Sequence, residues 1–251
     1  MMKKKFVIQQ LIVLTVGLSL FFTSCKKLPP KLTEPGVSFE LAQLRNKQIK
    51  NIRYDITFSI PDSMHKQING NVKIQFDFNK NSTNPLILDF RNQPTQIIKI
   101  NKGHKKIKYK FINEHIIIPH KYLNNGENKL EIEFIAGERA LNRNADYLYT
   151  LFVPDRACTA FPCFDQPSLK AIFKPTITVP ADWVVVTNSP LLNKEMDDSL
   201  QTYFFTETEP ISTYLFAFVA GKFNSITKKQ GQRQITMYHR ENDIDKVKRN
   251  V

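Results

Sequence analysis

Ile52-Arg53-Tyr54-Asp55-Ile56-Thr57-Phe58-Ser59-Ile60 alternates without a break, apolar at each even position and polar at each odd one. Successive side chains of an extended backbone point to opposite faces, so such a run lies half on a core and half in water. The same rhythm returns at Ile68, Val72, Ile74, Phe76 and Phe78, and again at Leu130, Ile132 and Phe134. Turn chemistry separates these runs at Pro61-Asp62-Ser63, over 79–85 and at Asn124-Asn125-Gly126. Further strands are expected over 86–90, 95–101, 105–111, 114–118, 174–179, 183–187, 201–206, 213–221 and 234–238. The stretch Tyr214 to Ala220 is almost continuously apolar, as in a strand covered on both faces. Helical periodicity is confined to about 38–48 and to the residues from Asn242 on. The pattern predicts an all-β fold, a multi-sheet β-sandwich or saddle with few helices, followed by the start of a helical segment.

Composition agrees with one folded β domain. The 251 residues are 41% hydrophobic and 11% aromatic, which excludes wholesale disorder, and three cysteines exclude a disulfide scaffold. The net charge of +13 needs locating before it is interpreted. Part of it is Lys3-Lys4-Lys5, followed by the apolar run Leu11 to Phe22 and then Thr23-Ser24-Cys25. That is the anatomy of an export signal, too short for a membrane span of about 20 apolar residues. It resembles a bacterial lipoprotein signal over 1–24, cleaved before Cys25, with lipid attached to that residue. Residues 25–47 then read as a tether, and the protein is expected to be exported and lipid-anchored to the cell envelope through Cys25. Lys106, Lys108 and Lys110 alternate with Ile107, Tyr109 and Phe111, so the cations share a wet face away from the aromatics. A nucleic-acid reader stacks bases on aromatics beside its cations, so no nucleic-acid partner is expected.

No reaction centre assembles from the sequence. His115 and His120 are five apart, an odd spacing that sends them to opposite faces of a strand. His-Glu-x-x-His, Cys-x-x-Cys, Gly-x-Ser-x-Gly and phosphate-loop motifs are absent. Cys158 and Cys163 have no neighbouring His, and their spacing on a tight segment favours two free thiols over a disulfide. The most distinctive stretch is Phe161-Pro162-Cys163-Phe164-Asp165-Gln166-Pro167-Ser168-Leu169-Lys170-Ala171, aromatics and prolines around a single carboxylate. Asp165 is expected to cap a short helical turn begun by Pro167.

This corner resembles the Phe-Pro-Cys-Phe-Asp-Glu/Gln-Pro-x-x-Lys-Ala segment in the N-terminal domain of the aminopeptidase N family of zinc metallopeptidases. Arg53-Tyr54-Asp55-Ile56 is similar to that domain's opening strand and Ile68 to Phe78 to its second. Thr187-Asn188-Ser189-Pro190 resembles its Ser-Asn-x-Pro turn, and Thr208 to Phe218 its Thr-Pro-x-Met-Ser-Thr-Tyr-Leu-x-Ala-Phe segment. The resemblance implies a saddle-like β domain over 48–240, with 241–251 opening a catalytic domain that this sequence does not contain.

What the resemblance implies for function is a domain that closes one side of the substrate cleft of a zinc aminopeptidase, an enzyme that releases N-terminal residues from peptides. Zinc belongs to the full-length family; the chain itself offers no zinc site, no catalytic residue and no activity of its own. The family lines its pocket with a Gln and a Glu just before the corner. Counting back from Phe161 places Leu151 and Val153 there, candidate pocket-wall residues that are apolar where the family is polar. Within the corner, Phe161, Pro162, Cys163, Phe164, Asp165, Pro167 and Lys170 read as architecture. The competing expectation is a non-catalytic β-sandwich lipoprotein that binds an envelope partner or polymer.

Overall fold

The computed structural model describes residues 28–80 and 84–249, and from Lys31 onward the chain gathers into one compact unit. The signal at 1–24 and Cys25 lie outside the described residues. Four sheets carry the fold among the described residues. The largest has eight strands, in the order Leu191–Asp197, Leu200–Phe205, Ala171–Pro180, Ile49–Ser59, Asn69–Phe78, Gly126–Ile135, Ile97–Lys102 and Lys105–Lys106. Its neighbours are antiparallel except at the centre, where Ile49–Ser59 runs parallel to Ala171–Pro180 with Ile52 opposite Ala171. The alternation sets the register. Ile56, Val72 and Ile132 form one cross-strand row, Tyr54, Ile74 and Leu130 the next, and all six are buried.

A four-stranded sheet, ordered Val184–Thr187, Phe218–Gly221, Tyr147–Thr150 and Leu141–Arg143, turns Val185, Ala220 and Leu148 into the same core. A three-stranded sheet of Leu86–Asp89, His115–Ile118 and Lys110–Ile112 adds Leu86, Leu88, Ile116 and Ile118. Phe161 sits where these layers meet. Its ring meets those of Tyr54, Phe58, Phe152 and Phe216 edge-on, with centroids 5.8 to 6.3 Å apart. A separate hairpin, Asn224–Gln230 with Arg233–His239, is mostly exposed.

Several elements differ from the sequence reading. The expected strand over 105–111 divides into Lys105–Lys106 and Lys110–Ile112, which join different sheets, although its alternation of exposed lysines and inward apolar residues holds. The run over 213–221 is a strand only at Phe218–Gly221; Thr213–Leu215 is a 3-10 turn, because Ser212 and Thr213 are drawn to the corner. The helical periodicity read over about 38–48 is met by the helix Phe39–Gln48, which lies within the stretch read as a tether and belongs to the compact unit, N-capped by the Ser38 hydroxyl, which accepts the Leu41 amide at 3.1 Å. A second, short helix at Ile244–Lys248 is capped by Asp243.

Gly70 shows how closely the core is filled. It lies opposite Phe134, whose buried ring would stand 2.3 Å from any added Cβ. Gly70→Ala is therefore expected to cost about 1–3 kcal/mol in urea unfolding, whereas an unchanged midpoint would contradict this packing.

Candidate functional site

The helix Phe39–Gln48 delivers one arginine into the core. Arg45 is almost fully buried and binds Asp89 end-on through both terminal nitrogens, Nη2 to Oδ1 at 2.6 Å and Nη1 to Oδ2 at 2.9 Å. Its Nε and Nη2 also donate to the Ile87 carbonyl, at 3.1 and 2.8 Å. Two further donors complete Asp89: His115 Nδ1 reaches Oδ1 at 2.9 Å and the Asp165 amide reaches Oδ2 at 2.8 Å. A carboxylate has about four lone-pair positions, and here four donors occupy them. Burial alone pushes the Asp89 carboxyl up, but the Arg45 guanidinium and the His115 ring outweigh it and hold the group below the ordinary carboxylate range.

Asp89 and the corner are joined through backbone as well. The Asp89 amide donates to the Cys163 carbonyl at 2.8 Å and the Cys163 amide returns a bond to the Asp89 carbonyl at 3.1 Å. The Phe164 amide donates to the Tyr54 hydroxyl at 2.9 Å, which ties the corner to the central strand of the large sheet. Asp165 does not cap the turn that follows it. Its Oδ2 accepts the Cys158 amide at 2.9 Å, in the 3-10 turn Ala157–Thr159, and its Oδ1 accepts the Thr213 hydroxyl at 2.7 Å. The local capping signal loses because both oxygens are taken by donors from distant segments. Burial pushes the Asp165 carboxyl up, partly offset by the Thr213 and Cys158 hydrogen bonds.

Three stretches distant in sequence thus meet here. Ser212 donates to the Pro167 carbonyl at 2.7 Å beside the Thr213 contact, and Asn188 of the Thr187-Asn188-Ser189-Pro190 turn donates to the Leu215 carbonyl at 3.1 Å and accepts the Ala217 amide. Phe161, Pro162, Cys163 and Phe164 are buried, while Pro167 and Lys170 are exposed at the corner's rim.

Leu151 and Val153 lie on the other side of this joint, facing outward. Leu148 and Phe152 of the same segment point into the core, so the alternate residues Tyr149, Leu151 and Val153 are 43%, 46% and 52% exposed. Leu215 stands 47% exposed on the segment that Asn188 and Thr213 hold. Thr150 ties the two segments together: its Oγ1 accepts the Phe218 amide at 3.1 Å. Along the sheet, Val186, Val219 and Tyr149 form one outward row, so this face is apolar across three strands. Gly221 lets the strands approach, since a Cβ there would stand 2.5 Å from that of Tyr147. Geometrically this is an outward apolar wall without an ionisable group among Tyr149, Leu151, Val153 and Leu215 apart from one phenol.

No group of three His, Cys, Asp or Glu side chains among the described residues could hold a metal ion. His115 is buried in the Asp89 knot on the strand His115–Ile118, whereas His120 lies half-buried in the 3-10 turn His120–Tyr122 beyond that strand, so the two do not share a strand and the expectation from strand faces does not apply to them. Cys158 and Cys163 are free and buried. Burial pushes both thiols up, and the neighbouring Asp165 adds to it.

Two outcomes follow from the knot. Because the Asp89 carboxyl is depressed in the fold, its stabilisation is present above the unfolded value of about 3.9 and is lost as pH falls through the lower folded value. Asp89→Asn should therefore cost about 3–5 kcal/mol at neutral pH, with the deficit shrinking in urea titrations below about pH 4; a pH-independent deficit would contradict the assignment. Asp165 acts in the opposite sense and favours the fold at lower pH, and because the Asp89 charge is one of the causes that raise it, Asp89→Asn relieves that part of its shift as well. Both thiols should resist iodoacetamide in the native protein at neutral pH and react in urea, and fast native alkylation would show that the corner opens.

With this geometry in hand, residues 50–215 match the family model described as the Peptidase M1 N-terminal domain. Aminopeptidase M1-A of Oryza sativa subsp. japonica is 40% identical over 77 residues, 31% of this chain and 9% of that protein. Probable aminopeptidase 1 of Sulfurisphaera tokodaii is 30% identical over 151 residues, 57% of this chain and 19% of that protein. The chain thus spans only a small part of the curated relatives it matches. The crystal structure of an M1 zinc metallopeptidase from Deinococcus radiodurans superposes with a TM-score of 0.61 at 17% identity, over 76% of this chain and 47% of that one, which is a likeness of fold. Asp89, His115 and the corner fall inside the matched range, Arg45 and its helix lie just before it, and the chain belongs to the peptidase M1 family, whose N-terminal domain it carries.

Proposed function

We propose that this chain forms one wall of the substrate cleft of an exported, lipid-anchored, zinc-dependent aminopeptidase, an enzyme that releases N-terminal residues from peptides. The observation that carries the reading is the outward row Tyr149, Leu151 and Val153, held by a buried joint on a domain of this family. Zinc does not fit the residues described: Asp89 and Asp165, the buried carboxylates nearest to one another, have their oxygens committed to protein donors. The metal and the catalytic groups therefore belong to a separate catalytic domain, and no chemical step is assigned to this chain. Its own contribution is to bind and to exclude water. Leu151 and Val153 offer no hydrogen bond from their side chains, so they favour an apolar substrate side chain and keep the cleft dry once a partner domain faces them.

Three measurements test this. The 251-residue protein should hydrolyse no amino-acid anilide with or without added zinc, and zinc-dependent turnover would move the chemistry into this chain. In an assembled enzyme carrying this domain, Leu151→Asp should raise KM for apolar peptides by about tenfold with a smaller effect on kcat; unchanged KM would remove the wall from the substrate. Palmitate labelling in a bacterial host should depend on Cys25 and vanish in Cys25→Ala; labelling that persists would contradict anchoring at that residue.

A further inference from the structure

The stretch Thr33 to Gly36 is strapped to the fold by three successive residues of one hairpin turn. Asn113 Nδ2 donates to the Thr33 carbonyl at 2.9 Å, His115 Nε2 to the Glu34 carbonyl at 2.8 Å, and Glu114 Oε2 accepts the Gly36 amide at 3.3 Å. Asn113 and Glu114 take left-handed conformations, φ +44° and +71°, as a tight two-residue hairpin requires. Arg91 braces Glu114 at 3.0 Å, and His115 is itself locked to Asp89. The chain is thus fixed from Thr33, eight residues past Cys25, a distance that an extended chain covers in about 28 Å at most.

The same turn ends a cationic ribbon. Lys106, Lys108, Lys110 and Ile112 are exposed at alternate positions, while Ile107, Tyr109 and Phe111 turn in against the core. The ribbon's ends, Lys105–Lys106 and Lys110–Ile112, pair in different sheets, with residues 107–109 between them. Residues 90–126 contain eight Lys and Arg and a single carboxylate, Glu114, which already binds Arg91. Some exposed lysines sit beside acids, Lys73 by Glu131, Lys99 by Glu133 and Lys222 by Asp146 and Asp182. Lys106, Lys108 and Lys110 have no carboxylate partner among the described residues. Ile112 at the turn is 37% exposed, and Phe39, three residues past the strapped stretch, is 73% exposed.

We propose that the ribbon Lys106 to Ile112 rests on the headgroups of an anionic bilayer, with the three lysines facing lipid phosphates and Ile112 and Phe39 at the acyl boundary. The proposal rests on the export reading above. Charge complementarity selects the surface, and the short reach between Cys25 and the strap keeps it within range of a membrane. A lipid chain combined with a polybasic surface is the arrangement that gives firm attachment. Each lysine near an anionic surface is worth roughly a fivefold gain in partitioning, and this gain is screened by salt.

The test uses the full chain with Cys25→Ser, which cannot carry lipid, in sedimentation with vesicles of phosphatidylglycerol and phosphatidylethanolamine or of phosphatidylcholine alone. The N-terminus is common to every variant and cancels in the comparison. Lys106→Gln/Lys108→Gln/Lys110→Gln should weaken binding to the anionic vesicles at low salt at least about tenfold, with little change on phosphatidylcholine. Lys129→Gln/Lys174→Gln/Lys194→Gln removes the same charge from other exposed sites and should leave binding within about twofold of the parent. Equal losses in the two triple variants would reduce the effect to net charge and overturn the proposal. So would undiminished binding by the ribbon variant, or a ribbon that binds an acidic polysaccharide and no vesicle. Because no lipid is attached to the Cys25→Ser chain, this result stands or falls apart from the palmitate test of the export reading.

Discussion

One buried carboxylate holds the architecture together. Asp89 belongs to the three-stranded sheet, yet its oxygens are bound by Arg45 from the helix, His115 from the adjacent strand and the amide of Asp165 from the corner. A charge taken out of water is costly unless every lone pair is satisfied, and here the satisfaction comes from separate parts of the chain. Removing any donor leaves the rest exposed to an unpaired buried charge, so the elements must form together. The corner then passes the constraint on to the large sheet through the Phe164 amide and the Tyr54 hydroxyl.

Rigidity at this joint has a consequence for the outward face. Asp165 and Ser212 fix the segment bearing Leu215, and Thr150 fixes the strand end before Leu151, so the apolar wall is positioned from both sides. A surface that must present itself to a small substrate works best when its supports are buried hydrogen bonds rather than mobile side chains.

Much of this was legible in the sequence, for physical reasons. Period two is a strong signal where one face is dry and the other wet, and Ile52 to Ile60, Val72 to Phe78 and Leu130 to Phe134 are buried as that period dictates. The strand Leu191–Asp197 escaped notice because all seven of its residues are exposed, so no alternation marks it. Leu141–Arg143 and Tyr147–Thr150 are too short to establish a period. Arg45 was hidden for another reason: a charged residue in a polar helix looks solvated until its partner is known, and Asp89 is disguised by the apolar run around it. Asp165 stood out as the corner's carboxylate, but local capping logic could not anticipate donors as remote as Cys158 and Thr213. The wall residues were reached only by counting from the corner. Leu151 and Val153 carry no chemical mark of their own, and their outward direction follows from the burial of Leu148 and Phe152 beside them.

Hydrogen exchange of the native protein bears most directly on the claim that the Asp89 joint is formed and lost with the fold as a whole. The amides of Asp89, Cys163, Phe164 and Asp165 should exchange only by global unfolding, with the same free energy and denaturant dependence as those of the central strand Ile49–Ser59. Exchange of these four amides through a local opening well below the global free energy, while the central strand stays protected, would contradict it.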